Sequence, residues 1–347
     1  MQRILLVRTS AIGDIVFASP FVAALRARYP AAYIAWLVEP GIDGLLEADR
    51  CIDELIPWPK AEWRRLWDEG RVGELYRRVR ELAGLLRARR FDTAIDLQSL
   101  LKSGALAWLS GAKRRIGLGS REASRWLMTE VVPPGGTPGR ISSEYRHLAE
   151  HLGLDTAGFL PRLSITDETA RRTRALLTTC GLAPGHYAVF APFTTRPQKH
   201  WREDAWQALA VAVRDQLGLT PVILGGSADR EAARRIVDAT PGAITLVGVT
   251  SLPEAAALVA GAALVVGVDT GLTHMGPAFG TPTVALFGST RPYLDAGRPD
   301  ASVIWLGLPC SPCRRRPSCG GAFSCLHDIH PERVMHEARA VLRGKQA

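Results

Sequence analysis

The run Arg3-Ile4-Leu5-Leu6-Val7-Arg8-Thr9-Ser10-Ala11-Ile12-Gly13-Asp14 decides the fold. Its four consecutive apolar residues, 4–7, read as a short strand buried on both faces. A turn containing Gly13 follows, and residues 16–28 then carry a helical pattern. Strand, tight turn and helix open a doubly wound α/β unit, in which helices cover a parallel sheet on both sides. The pattern recurs. Residues 33–38 and 93–97 are strand-like, and between them Leu75, Val79, Leu82 and Leu86 are spaced 4, 3 and 4. That spacing lines one helical face, with arginines and glutamate on the other.

A second series begins near Thr166. Residues 187–192, 221–225, 244–247, 264–268 and 283–287 read as buried strands, separated by helices at 205–217, 230–239, 252–260 and 271–279. Residues 153–163, with Gly and Pro and no clear period, read as the connection between two domains. A last helix, 331–342, follows a cysteine-rich loop. A length of 347 residues fits two domains of roughly 150 residues each.

Composition narrows the class of protein. Hydrophobic residues are 47% and charged residues 22%, an ordinary globular balance that excludes disorder. The net charge of +9 comes almost wholly from arginine, since lysine occurs only at Lys60, Lys102, Lys113, Lys199 and Lys345. Such a surface attracts anions: nucleic acid, anionic lipid or a phosphorylated substrate. No stretch approaches the ~20 apolar residues of a membrane span, and the first apolar run is too short for a signal-peptide core. A cytoplasmic protein with mostly reduced cysteines is the expectation.

In a doubly wound domain, functional residues lie on the loops that follow strands. Three such loops carry chemistry. In the first, Gly13 permits a tight turn and Asp14 stands near the start of a helix, either as a cap or as a carboxylate able to take an acceptor proton. It is no Gly-x-Gly-x-x-Gly fingerprint, so a dehydrogenase is disfavoured. The second, Thr194-Thr195-Arg196-Pro197-Gln198-Lys199-His200-Trp201, gathers two hydroxyls, a guanidinium and an ammonium after a strand. Those groups suit a diphosphate. The third, Asp269-Thr270-Gly271-Leu272-Thr273-His274, is strand, turn and helix N-terminus, an anion site through free N–H groups and the helix dipole. Asp269 and His274 suit sugar hydroxyls better than phosphate, and Asp269 as a mere cap stays open. No Asp-x-Asp occurs in the sequence, so the basic second loop would stand in for a divalent ion on the diphosphate.

Together, Ser10-Ala11-Ile12-Gly13-Asp14, Thr194-Thr195-Arg196…Lys199-His200-Trp201 and Asp269-Thr270-Gly271-Leu272-Thr273-His274 resemble glycosyltransferase family 9, the ADP-heptose:lipopolysaccharide heptosyltransferases. The second motif looks most like the members that add the first heptose to Kdo2-lipid A. The resemblance covers most of the chain and implies a GT-B architecture of two Rossmann-like domains facing a cleft. It implies an acceptor-binding domain over 1–160, an ADP-heptose-binding domain over 165–330, and a helix over 331–347 that crosses back to the first domain.

It further implies inversion at the sugar carbon with Asp14 as base. Thr194, Thr195, Arg196 and Lys199 would hold the diphosphate, and Asp269, Thr270, Gly271 and His274 the rest of the donor. An acidic residue for the ribose falls near Gly226–Glu231, either Asp229 or Glu231. Lys60, Arg64, Arg65, Lys102 and Arg121 fall in segments like the family's basic acceptor-binding segments, though ordinary solvated charges would look the same. The donor is ADP-heptose with no cofactor, and the acceptor is an anionic lipid-linked Kdo–lipid A. The implied location is the cytoplasmic face of the inner membrane, held peripherally.

Cys310, Cys313, Cys319 and Cys325, with His327 and His330 nearby, depart from the best-known members. The first pair has metal-ligand spacing but the later spacings do not, so free thiols are the expectation. A related cysteine cluster occurs in members that heptosylate autotransporter proteins, which leaves the acceptor open. Two other classes compete. A sugar-nucleotide epimerase or hydrolase would share the scaffold but leave the basic first domain idle. A nucleic-acid-binding protein would use the positive charge, yet no aromatic–basic RNA motif is present.

Overall fold

The computed structural model describes residues 1–313 and 316–345. The chain forms two compact units, one of Met1–Thr137 with Ser142–Pro161, the other of Pro138–Ile141 with the chain from Arg162 onward.

The first unit is built on strands β1 (Arg3–Val7), β2 (Tyr33–Val38), β3 (Glu54–Pro57), β4 (Thr93–Asp96), β5 (Arg114–Leu118) and β6 (Glu130–Val132). Its helices are α1 (Ile12–Arg28), α2 (Lys60–Asp68), α3 (Val72–Ala88), α4 (Leu101–Leu109) and α5 (Ser143–His151). Every strand pair is parallel, in the order β3-β2-β1-β4-β5-β6. The central strands are the continuous apolar runs, and Ile4 to Val7 are fully buried. Of the spaced leucines in α3, Leu82 and Leu86 are buried against Leu5, Leu37 and Ala94.

The second unit repeats the plan. Strands β7 (Tyr187–Ala191), β8 (Thr220–Ile223), β9 (Ile244–Thr245), β10 (Leu264–Val268), β11 (Thr283–Phe287) and β12 (Ala301–Trp305) form a parallel sheet of order β12-β11-β10-β7-β8-β9. Helices α6 (Asp167–Thr179), α7 (Glu203–Leu217), α8 (Arg230–Asp238), α9 (Leu252–Gly261), α10 (Gly271–Phe279), α11 (Ser324–His327) and α12 (Pro331–Gly344) complete it. Helix α12, which the family resemblance would carry back to the first domain, packs on α7 and against β10, β11 and β12. There it buries Val334, Met335, Ala338 and Val341. Residues 346 and 347 of that expected segment lie outside the described residues.

Both sheets have the same switch point. Strand order reverses between β1 and β4 in the first unit and between β7 and β10 in the second, and ligands of open α/β sheets bind outside the strand ends at such a point. Gly267 in β10 makes the second one possible. A Cβ there would stand 2.0 Å from Thr273 Oγ1 and 2.9 Å from the Ala191 Cβ, so only glycine lets the first turn of α10 and strand β7 approach this closely. Gly267→Ala is expected to lower the stability of the second unit by roughly 1–3 kcal/mol through overpacking. Denaturant unfolding checks this, and an unchanged midpoint would contradict it.

Candidate active site

In the first unit the loop after β1 meets the loop after β4. The register sets Val7 beside Asp96, so Arg8 leaves the sheet next to Leu97, whose carbonyl accepts from Arg8 Nη1 at 3.2 Å. Thr9 is fixed from the same side, its N–H and hydroxyl both donating to Gln98 Oε1 at 3.0 and 2.9 Å. Asp14 stands in the first turn of α1. Its carboxylate accepts from the Ala11 N–H at 3.4 Å, a distance too long for a strong cap. Its main partner is Arg8, in close ion-pair contact. Both contacts use Oδ2, which leaves Oδ1 for an incoming hydroxyl. The Asp14 side chain is 44% exposed, against 10% for Arg8, so an accessible carboxylate is held by a buried cation. Burial works against the charge on Arg8, but Tyr145 and the carboxylates of Asp14 and Asp96 outweigh it and raise its pKa.

Asp96, at the end of β4, is fully buried. It accepts from the Gln98 and Ser99 N–H groups at 2.9 and 3.1 Å and from the Ser103 hydroxyl at 3.0 Å. Burial pushes its carboxyl up to about 6, although those hydrogen bonds and Arg8 pull the other way. An unfolded aspartate titrates near ~3.9, so the folded state binds the proton more tightly. The stabilisation from this group is therefore full below that value and lost as pH rises through 6. Asp96→Asn removes the buried charge while an amide oxygen can keep both backbone bonds. The variant is expected to be more stable than wild type at pH 8, on the order of 2 kcal/mol, with the gain shrinking toward pH 4. Thermal melts across that range check it, and a destabilisation constant with pH would contradict it.

The basic residues of the first unit divide. Lys60, at the start of α2, pairs with Glu39 at 2.9 Å. Lys102 lies close enough to Lys60 that partial burial and that neighbouring charge push its ammonium down. The backbone of Arg121 donates to the Ser99 carbonyl at 2.8 Å. Lys60 and Lys102 therefore lie near one another at the strand ends, with Arg8 also acting on Lys102, and the Arg121 backbone is held against the loop after β4. Arg64 and Arg65 instead stand out on α2, loosely paired with Asp68 at 3.7 Å and Glu69 at 3.9 Å.

In the second unit the loop after β7 meets the loop after β10. Lys199 ends a 3₁₀ turn, Pro197–Lys199, and reaches Asp269 twice, its ammonium 2.6 Å from Oδ2 and 2.9 Å from the backbone carbonyl. One N–H of the ammonium is left over. Asp269 also contacts His274 Nε2 at 3.0 Å and accepts from the Thr290 hydroxyl at 2.6 Å. Nδ1 of His274 meets the Tyr293 hydroxyl at 3.1 Å. Burial would raise the Asp269 carboxyl, but His274 and Lys199 win and hold it far below the ordinary carboxylate range. Asp269 is thus an organiser, fixing a cation, an imidazole and a hydroxyl around one buried charge.

The rest of this loop is anchored from behind. Trp201 is buried, donates to the Ile329 carbonyl at 2.9 Å and stands edge-on to Trp206. His200 closes the loop on the Thr194 carbonyl at 2.7 Å. Among the described residues, the side chains of Thr194, Thr195, Arg196 and Thr270 take no protein hydrogen-bond partner, while the N-terminus of α10 begins at Gly271. Hydroxyls, a guanidinium, an ammonium and the first N–H groups of a helix on adjacent loops are donors of the kind an anion takes. Asp229, one of the two ribose candidates, closes its own turn by accepting from the Gly226 N–H at 2.9 Å. Glu231 is 92% exposed and makes a 3.3 Å contact with Arg235.

The residues missed in the sequence are Arg8, Glu39, Asp96, Thr290 and Tyr293. Each follows or ends a strand, and that position is the signal that would have found them. The cysteine loop supports the same site. Cys313 contacts the Ser289 carbonyl at 3.9 Å, and a Cβ on Gly288 would come within 2.9 Å of Cys325 Sγ. The cysteine loop therefore rests on the turn that delivers Thr290. Burial pushes the Cys325 thiol up to about 11, while N–H groups led by that of Phe323 lower Cys319. The described cysteines form no disulfide, and among the described residues no three His, Cys, Asp or Glu side chains are grouped to hold a metal ion.

The model of glycosyltransferase family 9 (heptosyltransferase) matches residues 79–322. A lipopolysaccharide heptosyltransferase 1 of Pseudomonas aeruginosa is 31% identical over 91% of this chain and 87% of its own length. Among solved structures, Escherichia coli ADP-heptose LPS heptosyltransferase II superposes with a TM-score of 0.76 at 25% identity, covering all of both chains. The E. coli heptosyltransferase WaaC with ADP-2-deoxy-2-fluoro heptose gives 0.75 at 25% identity over 96% of this chain and 98% of that one.

Proposed function

Since the chain belongs to glycosyltransferase family 9, the heptosyltransferases, we propose that it moves heptose from ADP-heptose, with inversion, onto the Kdo of a Kdo–lipid A acceptor. The observation that carries the donor half is the Lys199–Asp269 pair, which ties together the two loops at the switch point of the second sheet. It presents a fixed ammonium where α10 begins, among hydroxyl and guanidinium groups that have no protein partner. The related WaaC was solved with an ADP-heptose analogue, and that chemistry suits the same loops here.

The reaction is a single displacement. Asp14 takes the proton of the acceptor hydroxyl, the oxygen attacks the anomeric carbon, and the bond to ADP breaks. Negative charge grows on the departing diphosphate. Lys199, Arg196 and the α10 N-terminus meet it, and donors aimed at growing charge stabilise the transition state most. Thr194 and Thr195 hold the diphosphate oxygens, and the exposed Glu231 takes the ribose. Lys60, Lys102 and Arg121 surround the acceptor's carboxylates close to Asp14, and Arg64 and Arg65 take its outer anionic groups.

Fixed cations supply the charge that a divalent ion supplies elsewhere, so EDTA is expected to leave transfer unchanged. Complete loss, restored by Mg²⁺, would contradict that. The acceptor is tested by offering ADP-heptose with Kdo2-lipid A, with the same lipid already carrying one heptose, and with an autotransporter passenger domain. Transfer to the first alone supports the reading. Transfer only to either of the others keeps the donor chemistry and replaces the acceptor.

A further inference from the structure

Helices α2 and α3 of the first unit carry a surface feature that transfer chemistry does not require. Trp67 is 65% exposed and Tyr76 62% exposed. Large rings cost free energy in water, and a folded chain ordinarily covers them. The neighbouring positions have covered theirs. On α2, Trp63 stands edge-on to Trp58 at 5.9 Å, and Leu66 is buried. On α3, Leu82, Ala83 and Leu86 are buried. Trp67 and Tyr76 are the rings these two helices turn outward.

The outward faces have a common make-up. Arg64 and Trp67 stand at helical spacing on α2, and Val72, Tyr76 and Arg80 do so on α3. The Arg80 guanidinium lies 5.8 Å from the centroid of the Tyr76 ring. The helices adjoin through a 3.1 Å ion pair between Arg78 and Glu62. Residues 60–90 hold ten basic side chains against five acidic ones, more than half the excess positive charge of the whole chain. The pairs that Arg64 and Arg65 make on this face are long and exposed, so they offset little of that charge. Trp126 is also exposed, but on a short 3₁₀ turn, Ser124–Leu127, apart from these two helices.

We propose that the outward faces of α2 and α3 dock on an anionic lipid bilayer, with Trp67 and Tyr76 seated among the headgroups. Trp and Tyr favour that zone because one edge of each ring is apolar and the other polar. Arginines beside them are attracted by anionic lipid within a Debye length. Charge complementarity, and two rings left uncovered beside it, favour a bilayer over a second copy of this chain, whose equally basic face would repel. Among the described residues no helix is long and apolar enough to cross a membrane, so contact of this kind is lateral. The purpose of the surface rests on the reading of a lipid-linked acceptor, but its test needs neither donor nor acceptor.

The full chain is sedimented with vesicles of phosphatidylethanolamine and phosphatidylglycerol, and separately with phosphatidylcholine alone. Wild type is expected to bind the first and not the second, more weakly at high salt. The double variant Trp67→Ser, Tyr76→Ser is expected to lose roughly tenfold in partition coefficient while keeping its melting temperature. Phosphatidylglycerol brominated in its acyl chains should quench tryptophan fluorescence in wild type and measurably less in Trp67→Phe, which keeps an apolar ring and most of the binding. The proposal is overturned if wild type ignores anionic vesicles, if the double variant binds as wild type does, or if Trp67→Phe leaves quenching unchanged. A wild-type dimer that the double variant dissolves, without vesicle binding, also overturns it in favour of a self-association face. Vesicle binding without any transfer would refute the proposed reaction and leave this surface standing.

Discussion

Asp14→Asn is expected to reduce turnover by about 10²–10⁴, the usual loss when a general base is removed. ADP affinity should stay close to wild type, because the amide has nearly the shape of the carboxylate, while the melting temperature should fall, since the buried Arg8 guanidinium loses its charged partner. A cap alone predicts loss of stability, about 0.5–2 kcal/mol, with little change in rate, so the rate separates the two roles. Turnover within a few-fold of wild type would therefore remove Asp14 from the chemistry. Arg8 supplies a second discriminant. It is buried and pairs with Asp14 through Oδ2, so Arg8→Met should lower turnover by releasing the carboxylate from its fixed orientation while leaving ADP binding intact.

Lys199→Ala is the second large effect. A hydrogen bond from a charged donor contributes about 1.5–3 kcal/mol, which corresponds to roughly a ten- to hundredfold loss in kcat/KM. The loss should fall more on kcat than on donor KM, because ADP gains charge as the bond breaks. The variant should still fold, since Asp269 keeps His274 and Thr290, though with reduced stability from a buried carboxylate that has lost one cation. Lys199→Arg should recover only part of the activity. The ammonium sits 2.6 Å from one oxygen and 2.9 Å from another of the same residue, a compact position that a flat guanidinium does not reproduce. Arg64→Ala, on the exposed face of α2, should raise acceptor KM and leave ADP binding alone. If both variants weaken donor and acceptor alike, the assignment of donor to one unit and acceptor to the other fails.

The sequence is most legible where physics leaves least choice. Strands β1, β7, β10 and β11 are continuous apolar runs because helices cover both their faces, and each was readable as a strand. Strands β2, β4, β8 and β9 were readable too, whereas β3, β5, β6 and β12 were not. Strand β3 ends in Pro57 and is only partly buried, β6 has three residues, and β12 lies at a sheet edge with a single fully buried side chain. Half-exposed edge strands need no unbroken apolar run, so their period fades. The candidate site shows the same division. Asp14, Lys199 and Asp269 were visible because each stands in the connection that follows a strong strand. That Asp269 organises Lys199, His274 and Thr290 was not visible, because residues 21 and 70 positions apart meet only once the sheet order is known. Asp96 was missed for a related reason. It lies at the end of a strand that the sequence already marks as buried, where an aspartate reads as the start of a turn until three donors are seen to surround it.

Transfer to an acceptor is expected to be the only route by which this protein consumes ADP-heptose. ADP release from heptose-labelled donor, followed with and without Kdo2-lipid A, tests it most directly. Release is expected to depend on acceptor, to equal the label appearing in lipid, and to disappear in Asp14→Asn. Release at the same rate without acceptor, with free heptose as product, would contradict it and identify a nucleotide-sugar hydrolase on this scaffold.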